Sequence, residues 1–296
     1  MSNNNYVRTD LAAECPALEQ QGETEGISLS KEEHNGITVT TVKVLSEAGE
    51  RVIGKPVGTY VTLSFGNILD LPDTVYPRLV ALFADKLTQT ALSLLGGVSP
   101  QSVLVAGLGN RDITPDAVGP LTVKGITVTR HIKKCDSRLF SALKKKSISA
   151  ISPGVIGQTG IETLDTVKGA VQNVNPDLVV VIDALASKSV DRMGSTLQIC
   201  DSGISPGSGI GNRRQAISKE SLGIPVIAVG VPTTVSSSTL VFDALEKAGI
   251  STVSDELTAV LDNGKSFFVT LNESDALINS LAKLIADGIN QAFSLR

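Results

Sequence analysis

Residues 103–121 read VLVAGLGNRDITPDAVGPL. The apolar run 103–106 predicts a short buried strand, Gly107 and Gly109 a turn, and residues 110–112 a polar loop. Thr114, Pro115 and Asp116 then predict a helix start, with threonine as N-cap, proline at the first helical position and an aspartate favoured by the helix dipole. In an open parallel sheet the end of such a strand faces the crevice where ligands and chemistry collect. A dinucleotide-binding turn would need glycine at position 112, where this chain has Asp112, whose charge opposes a pyrophosphate. The loop therefore offers carboxylates in place of an anion cradle.

Two further apolar runs match this strand. Residues 178–182 (LVVVI) form a continuous run of the kind buried on both sheet faces, and the run ends at Asp183, a second aspartate at a strand end. Residues 225–231 (PVIAVGV) predict another buried strand, with Pro232, Thr233, Thr234 and Val235 at its end. Helical periodicity over 73–95, in a segment led in by 152–160 (Ile161, Leu164, Val167, Val171), from about 239 to Gly249, over 254–261, and over 273–293 behind an Asn272 cap supplies the covering layers. Strands alternating with helices predict an α/β fold, mainly a parallel sheet flanked by helices. Residues 36–45 and 59–65, joined by a turn at 47–49, predict a smaller β-rich side element near the amino terminus. The basic run Lys144, Lys145, Lys146 reads as a solvated face.

Composition narrows the function. With 296 residues, 42% hydrophobic and 19% charged, the chain can bury a large core. A net charge of -4 provides no broad basic field, which argues against a direct nucleic-acid partner. No apolar run approaches the roughly 20 residues of a membrane span, and the polar start has no apolar signal core, so a cytoplasmic protein with no membrane partner is expected. Cys15, Cys135 and Cys200 are widely spaced and form no CxxC pair, and His34 and His131 lie in no nucleophile-elbow or HExxH pattern. Neither metal nor cofactor is expected, and catalysis falls to carboxylates. Residues 202–214 (SGISPGSGIGNRR) are either a flexible surface loop or an anion loop of backbone amides with Arg213 and Arg214, the latter making a non-enzymatic anion-binding module the rival reading.

Six segments, in order, resemble the germination protease family of endospore-forming bacteria: VRTDLAAE (7–14), GLGNRDITPDAVGPL (107–121), SPGVIGQTG (152–160), DLVVVIDALAS (177–187), SGISPGSGIGNRR (202–214) and GIPVIAVGVPT (223–233). The resemblance implies a fold similar to that of hydrogenase maturation proteases. It also implies an endopeptidase that degrades small acid-soluble spore proteins in the forespore or spore core, made as a zymogen and usually homotetrameric. The family's two essential aspartates correspond to Asp116 and Asp183. Asn110, Asp112, Gly207, Gly209 and Arg213 belong to loops expected beside them. The family usually has asparagine where this chain has Asp112, and that extra charge is expected to raise the neighbouring carboxyl pKa values.

Two aspartates suffice for peptide hydrolysis when like-charge repulsion keeps one protonated: one takes a proton from water and the other gives one to the substrate. Thr9, Asp10, Leu11 and Ala12 imitate the family's substrate motif of an acid, a large apolar residue and alanine. The resemblance therefore predicts self-processing between Asp10 and Leu11, dividing the chain into a propeptide-like segment 1–10 and a single α/β peptidase domain 11–296. A metal-dependent maturation protease on the same fold is the alternative enzyme reading, weakened by the lack of a histidine near either aspartate.

Overall fold

Among the residues described by this computed structural model (9–15, 18, 26–143, 145–207, 214–250, 254–261 and 267–294), nine strands form one sheet. In chain order they are β1 (Ile27–His34), β2 (Ile37–Val44), β3 (Gly58–Ser64), β4 (Ser102–Gly107), β5 (Ser147–Ile151), β6 (Leu178–Ala186), β7 (Thr196–Cys200), β8 (Val226–Ser236) and β9 (Phe268–Val269). They lie in the order β1-β2-β3-β7-β8-β6-β4-β5, with β9 on the last residues of β8. The run β8-β6-β4-β5 is parallel, and the run from β8 through β7, β3 and β2 to β1 is antiparallel. The β-rich opening of the chain thus continues the main sheet through the β3–β7 pairing.

Period-two alternation assigns each strand residue to a face. Val103, Val105, Leu178, Val180, Ile182, Leu197, Ile199, Ile227, Val229 and Val231 point to one face and join a single large core. That core is closed by the helices Tyr76–Leu94, Val118–Gly125 and Ser274–Ala292, whose inward residues include Leu79, Phe83, Val118, Leu281 and Ile285. The opposite face carries two separate clusters. Leu104, Ala106, Val179 and Val181 pack under helix Thr163–Val174, while Val42, Val44, Tyr60, Cys200 and Ala228 pack with Ala12 and Cys15. Burying an aliphatic side chain contributes roughly 1.5–3 kcal/mol, so the continuous core anchors the sheet while the seam between the two clusters is left for polar groups.

Several sequence expectations change at element ends. The predicted helix start at residue 114 is a 3-10 turn, Thr114–Asp116, followed by the helix Val118–Gly125. Thr114 does not cap it, because its hydroxyl donates to Asp275 Oδ1 (2.8 Å) instead. β6 and β8 run past their apolar stretches, so Asp183 lies within β6 and Pro232 to Val235 lie within β8. The predicted turn at 47–49 is the helix Glu47–Ile53, which starts at the Ser46 cap and stops at Gly54. The last helix begins at Ser274 after Glu273, not behind an Asn272 cap. Lys146 is buried, 6% exposed, where its backbone pairs with Phe293, and Lys144 lies outside the described residues.

Candidate active site

Asp183 shares a sheet face with Val179 and Val181 and stands where apolar cover gives out. It is 6% exposed, and its Oδ1 accepts a hydrogen bond from the Ala184 amide (3.0 Å). Its register partner on β8 is Gly230, whose partner on β7 is Gln198, whose partner on β3 is Thr62. Asp183 and Gln198 therefore look into the same space across a residue with no side chain, with backbones roughly 10 Å apart at the usual strand spacing. Close approach requires a glycine here: a Cβ on Gly230 would come within 2.5 Å of the Leu185 side chain.

Asp116 arrives from the loop after β4. The 3-10 turn points it back over Gly109, where its Oδ2 accepts from the Asn110 amide (2.7 Å). Gly109 has φ +105°, and a Cβ there would lie 2.0 Å from the Asp116 carbonyl oxygen. Only glycine combines that backbone conformation with that contact. Asn110 is fixed in turn, its Oδ1 accepting from the Asp112 amide (2.9 Å) and from Gln158 Nε2 (2.6 Å).

Both carboxyl groups are pushed toward the protonated form. Burial raises Asp183 well above the ordinary carboxylate range, with further contributions from the negative charges of Asp116 and Asp10. Burial also raises Asp116, opposed by the hydrogen bond from Asn110. Asp112 stands exposed, its Oδ2 accepting from Gln158 Nε2 (3.0 Å). The charges that raise Asp183 are those of Asp116 and Asp10, and solvent screens a carboxylate as exposed as that of Asp112.

The two aspartates line a cavity of about 1490 Å³, and so do Thr9, Asp10 and Leu11. The Asp10 amide donates to the Ala186 carbonyl (2.8 Å), and the Ala186 amide donates to Asp10 Oδ2 (3.0 Å). Ala186 is available because the β6–β8 register shifts there, Leu185 pairing with Pro232 and Ala186 with Thr234. After Asp10 the chain enters the core: Leu11 and Ala12 are each 1% exposed. Glu14 secures the following turn, accepting from the amides of Lys188 (2.7 Å) and Ser189 (3.0 Å) and from the Thr9 hydroxyl. Residues 1–8 lie outside the described residues.

Of the other expected loop residues, Asn110 and Gly207 line the cavity, while Gly209 and Arg213 lie outside the described residues. His34 sits at the surface beside Glu32 (3.1 Å), and His131 is exposed. Cys15 and Cys200 are buried free thiols at the cavity, and burial pushes Cys200 up to about 11, which keeps it a thiol at neutral pH. No group of three or more His, Cys, Asp or Glu residues suited to a metal ion occurs among the described residues. No helix among them is long and apolar enough to cross a membrane. Sequence reasoning did not single out Gln198 or Lys55. Gln198 had one weak signal, a polar residue between the buried Leu197 and Ile199, and Lys55 had none.

Comparison with known proteins bears on this arrangement. The sequence profile described as germination protease matches residues 7–248, which contain Asp10, Asp116 and Asp183. A germination protease of Caldanaerobacter subterraneus subsp. tengcongensis is 41% identical over 309 residues, covering 97% of this chain and 94% of that protein. One from Clostridium perfringens is 38% identical over 317 residues, covering 97% and 94%, and one from Bacillus pumilus is 42% identical over 249 residues, covering 81% and 66%. Among solved structures, the NiFe hydrogenase maturation protease HycI from Thermococcus kodakarensis KOD1 is 17% identical with a TM-score of 0.35, covering 67% of this chain and 96% of that one. By profile and by identity along nearly its whole length, the chain belongs to the germination protease family.

Proposed function

We propose that this protein is a self-processing endopeptidase that opens the degradation of small acid-soluble spore proteins, with Asp183 and Asp116 as its acid and base. The observation that carries the reading is two carboxyl groups of raised pKa on one cavity that also holds the chain's own residues 9–11. Asp183 is the more deeply buried of the two, and in this reading it carries the proton that the pair shares. Asp116, stabilised as a carboxylate by Asn110, takes a proton from water. The water oxygen adds to the peptide carbonyl carbon while Asp183 protonates the carbonyl oxygen. As the C–N bond breaks, a proton passes to the departing amine. The two groups titrate as a pair, and activity requires that they share one proton.

The same chemistry applied to the chain's own Asp10–Leu11 bond releases residues 1–10 and leaves 11–296 as the working peptidase. Support comes from Leu11 and Ala12, whose burial anchors the new amino terminus. The working enzyme is a homotetramer of the forespore or spore core. The test incubates full-length protein at mildly acidic and neutral pH and with a purified small acid-soluble spore protein, beside an Asp183→Asn control. Mass spectrometry is expected to find Leu11 as the new amino terminus and cut substrate in wild type alone. Equal cleavage by the control would remove Asp183 from the mechanism. Light scattering of the processed protein checks the tetramer, and a monomeric mass with full activity would overturn that element.

A further inference from the structure

We propose that Lys55 and Gln198 form the subsite that recognises the cut peptide, Lys55 reading an acidic side chain on its amino side and Gln198 gripping the backbone on both sides of the bond. The inference rests on the reading of Asp116 and Asp183 as the peptidase pair, and adds the residues that choose what the pair cuts.

The chain's own segment shows the grip. Lys55 Nζ lies 3.8 Å from Asp10 Oδ1 and donates to the Thr9 carbonyl (2.9 Å). Gln198 Nε2 donates to the Asp10 carbonyl oxygen (3.2 Å), and Gln198 Oε1 accepts from the Ala12 amide (2.9 Å). One amide side chain thus holds the carbonyl that a nucleophilic water would attack and the N–H two residues on. Its register neighbour toward Asp183 is Gly230, over whose bare backbone the Leu185 side chain lies. Lys55 is placed by the helix Glu47–Ile53 and its Gly54 stop.

Charge explains why a lysine is needed. A carboxylate entering this cavity meets Asp116 and Asp183, and the charge of Asp10 is itself among those that raise Asp183. An acidic substrate residue is repelled unless a cation offsets that field. The side chains of Lys55 and Asp10 are 19% and 12% exposed, so their attraction is screened far less than that of a surface pair. The 3.8 Å separation exceeds hydrogen-bond length, and a side chain one methylene longer closes it.

The test uses processed enzyme and peptides that differ only in the residue before the cut: Glu, Asp, Gln and Lys. Wild type is expected to prefer Glu over Gln by about tenfold in kcat/KM, the size of one charge-assisted hydrogen bond. Lys55→Met should bring that ratio to about one, Lys55→Arg should keep it, and Lys55→Glu should turn preference toward the Lys peptide. A Glu-to-Gln ratio preserved in folded Lys55→Met overturns the assignment while leaving the peptidase reading intact. Failure of wild type to cut any peptide overturns the peptidase reading and the specificity proposal with it. The Gln198 grip is tested without turnover, by hydrogen exchange of the Ala12 amide in full-length Asp183→Asn protein with and without Gln198→Leu. Loss of protection in the double variant is expected, and protection equal in both overturns it.

Discussion

The parallel strands β8, β6, β4 and β5 and the antiparallel strands β7, β3, β2 and β1 share one sheet and, all but the exposed β1, one continuous core, yet they furnish the cavity differently. The parallel side contributes acid and base: Asp183 from within β6, and Asp116 from the loop that leaves β4. The antiparallel side contributes grip: Gln198 from β7, and Lys55 from the connection between β2 and β3. Parallel strands need long crossovers, and a crossover leaving a strand end can fold a carboxylate back over the sheet. Antiparallel strands place side chains by register alone, so Gln198 sits opposite Gly230 without any loop to aim it. Side chains held by a loop, Asp116 and Lys55, and side chains held by strand register, Asp183 and Gln198, should fail in different ways.

The largest break comes from the parallel side. Asp116→Asn and Asp183→Asn are each expected to reduce kcat by about 10³-fold with the fold retained, since asparagine keeps shape but cannot exchange the proton. Peptide turnover with circular dichroism as the folding check decides this, and wild-type turnover by either variant would exempt that residue. Next in size is Gly109→Ala. The added methyl meets the Asp116 carbonyl oxygen at 2.0 Å in a backbone of φ +105°, so the 3-10 turn must move. A shift of about 1 Å in the base should cost on the order of 10²-fold in kcat, with a stability loss of about 2–3 kcal/mol. A variant with normal kcat and lowered stability would show that Asp116 tolerates displacement.

The contrast between the two sides also explains what was legible in the sequence. β4, β6 and β8 announced themselves because strands buried on both faces are apolar without interruption, and both aspartates stood out as charges next to such runs. Their true ends were hidden, since a polar residue inside a strand reads as its end, as at Asp183 and Thr233. β1 (ISLSKEEH) gave no signal, because an edge strand exposed along nearly its whole length has no buried face to impose alternation, and its charges blunt the open edge. Lys55 and Gln198 carry no motif. Their role depends on a register and on a segment folding back from the amino terminus, both long-range facts that local spacing does not encode.

A smaller effect concerns stability. Because the folded-state pKa of Asp183 is raised, the native protein binds a proton there that the unfolded chain has released, and stability falls as pH rises from the ordinary carboxylate value through the raised one. Asp183→Asn never ionises and escapes that loss. It should match wild type near pH 3 and exceed it by a growing margin as pH rises toward 7. Urea denaturation across that range measures the difference, and an asparagine variant less stable than wild type at neutral pH would show that the charged form of Asp183 is compensated by its surroundings.

The smallest effect is expected at Asp112, the charge that distinguishes this loop in sequence. Were it to act on the pair, Asp112→Asn would lower the neighbouring pKa values and move the acidic limb of the rate profile downward. Its carboxylate is exposed, however, and holds Gln158, while the charges that raise Asp183 are those of Asp116 and Asp10. Water between an exposed carboxylate and a buried one screens their interaction, so the limb should move by less than about 0.2 pH units. What Asp112 does hold is Asn110, through the hydrogen bond from its own amide to Asn110 Oδ1 and through the Gln158 that both residues share. Gln158→Ala should therefore disturb activity more than Asp112→Asn does, by loosening the loop that presents the Asn110 amide to Asp116. The acidic limb of kcat against pH, measured for both variants, decides between charge and scaffold. A shift of half a unit or more in Asp112→Asn, with Gln158→Ala unchanged, would mean that the charge reaches the pair after all and that the loop acts as part of the electrostatics on the parallel side.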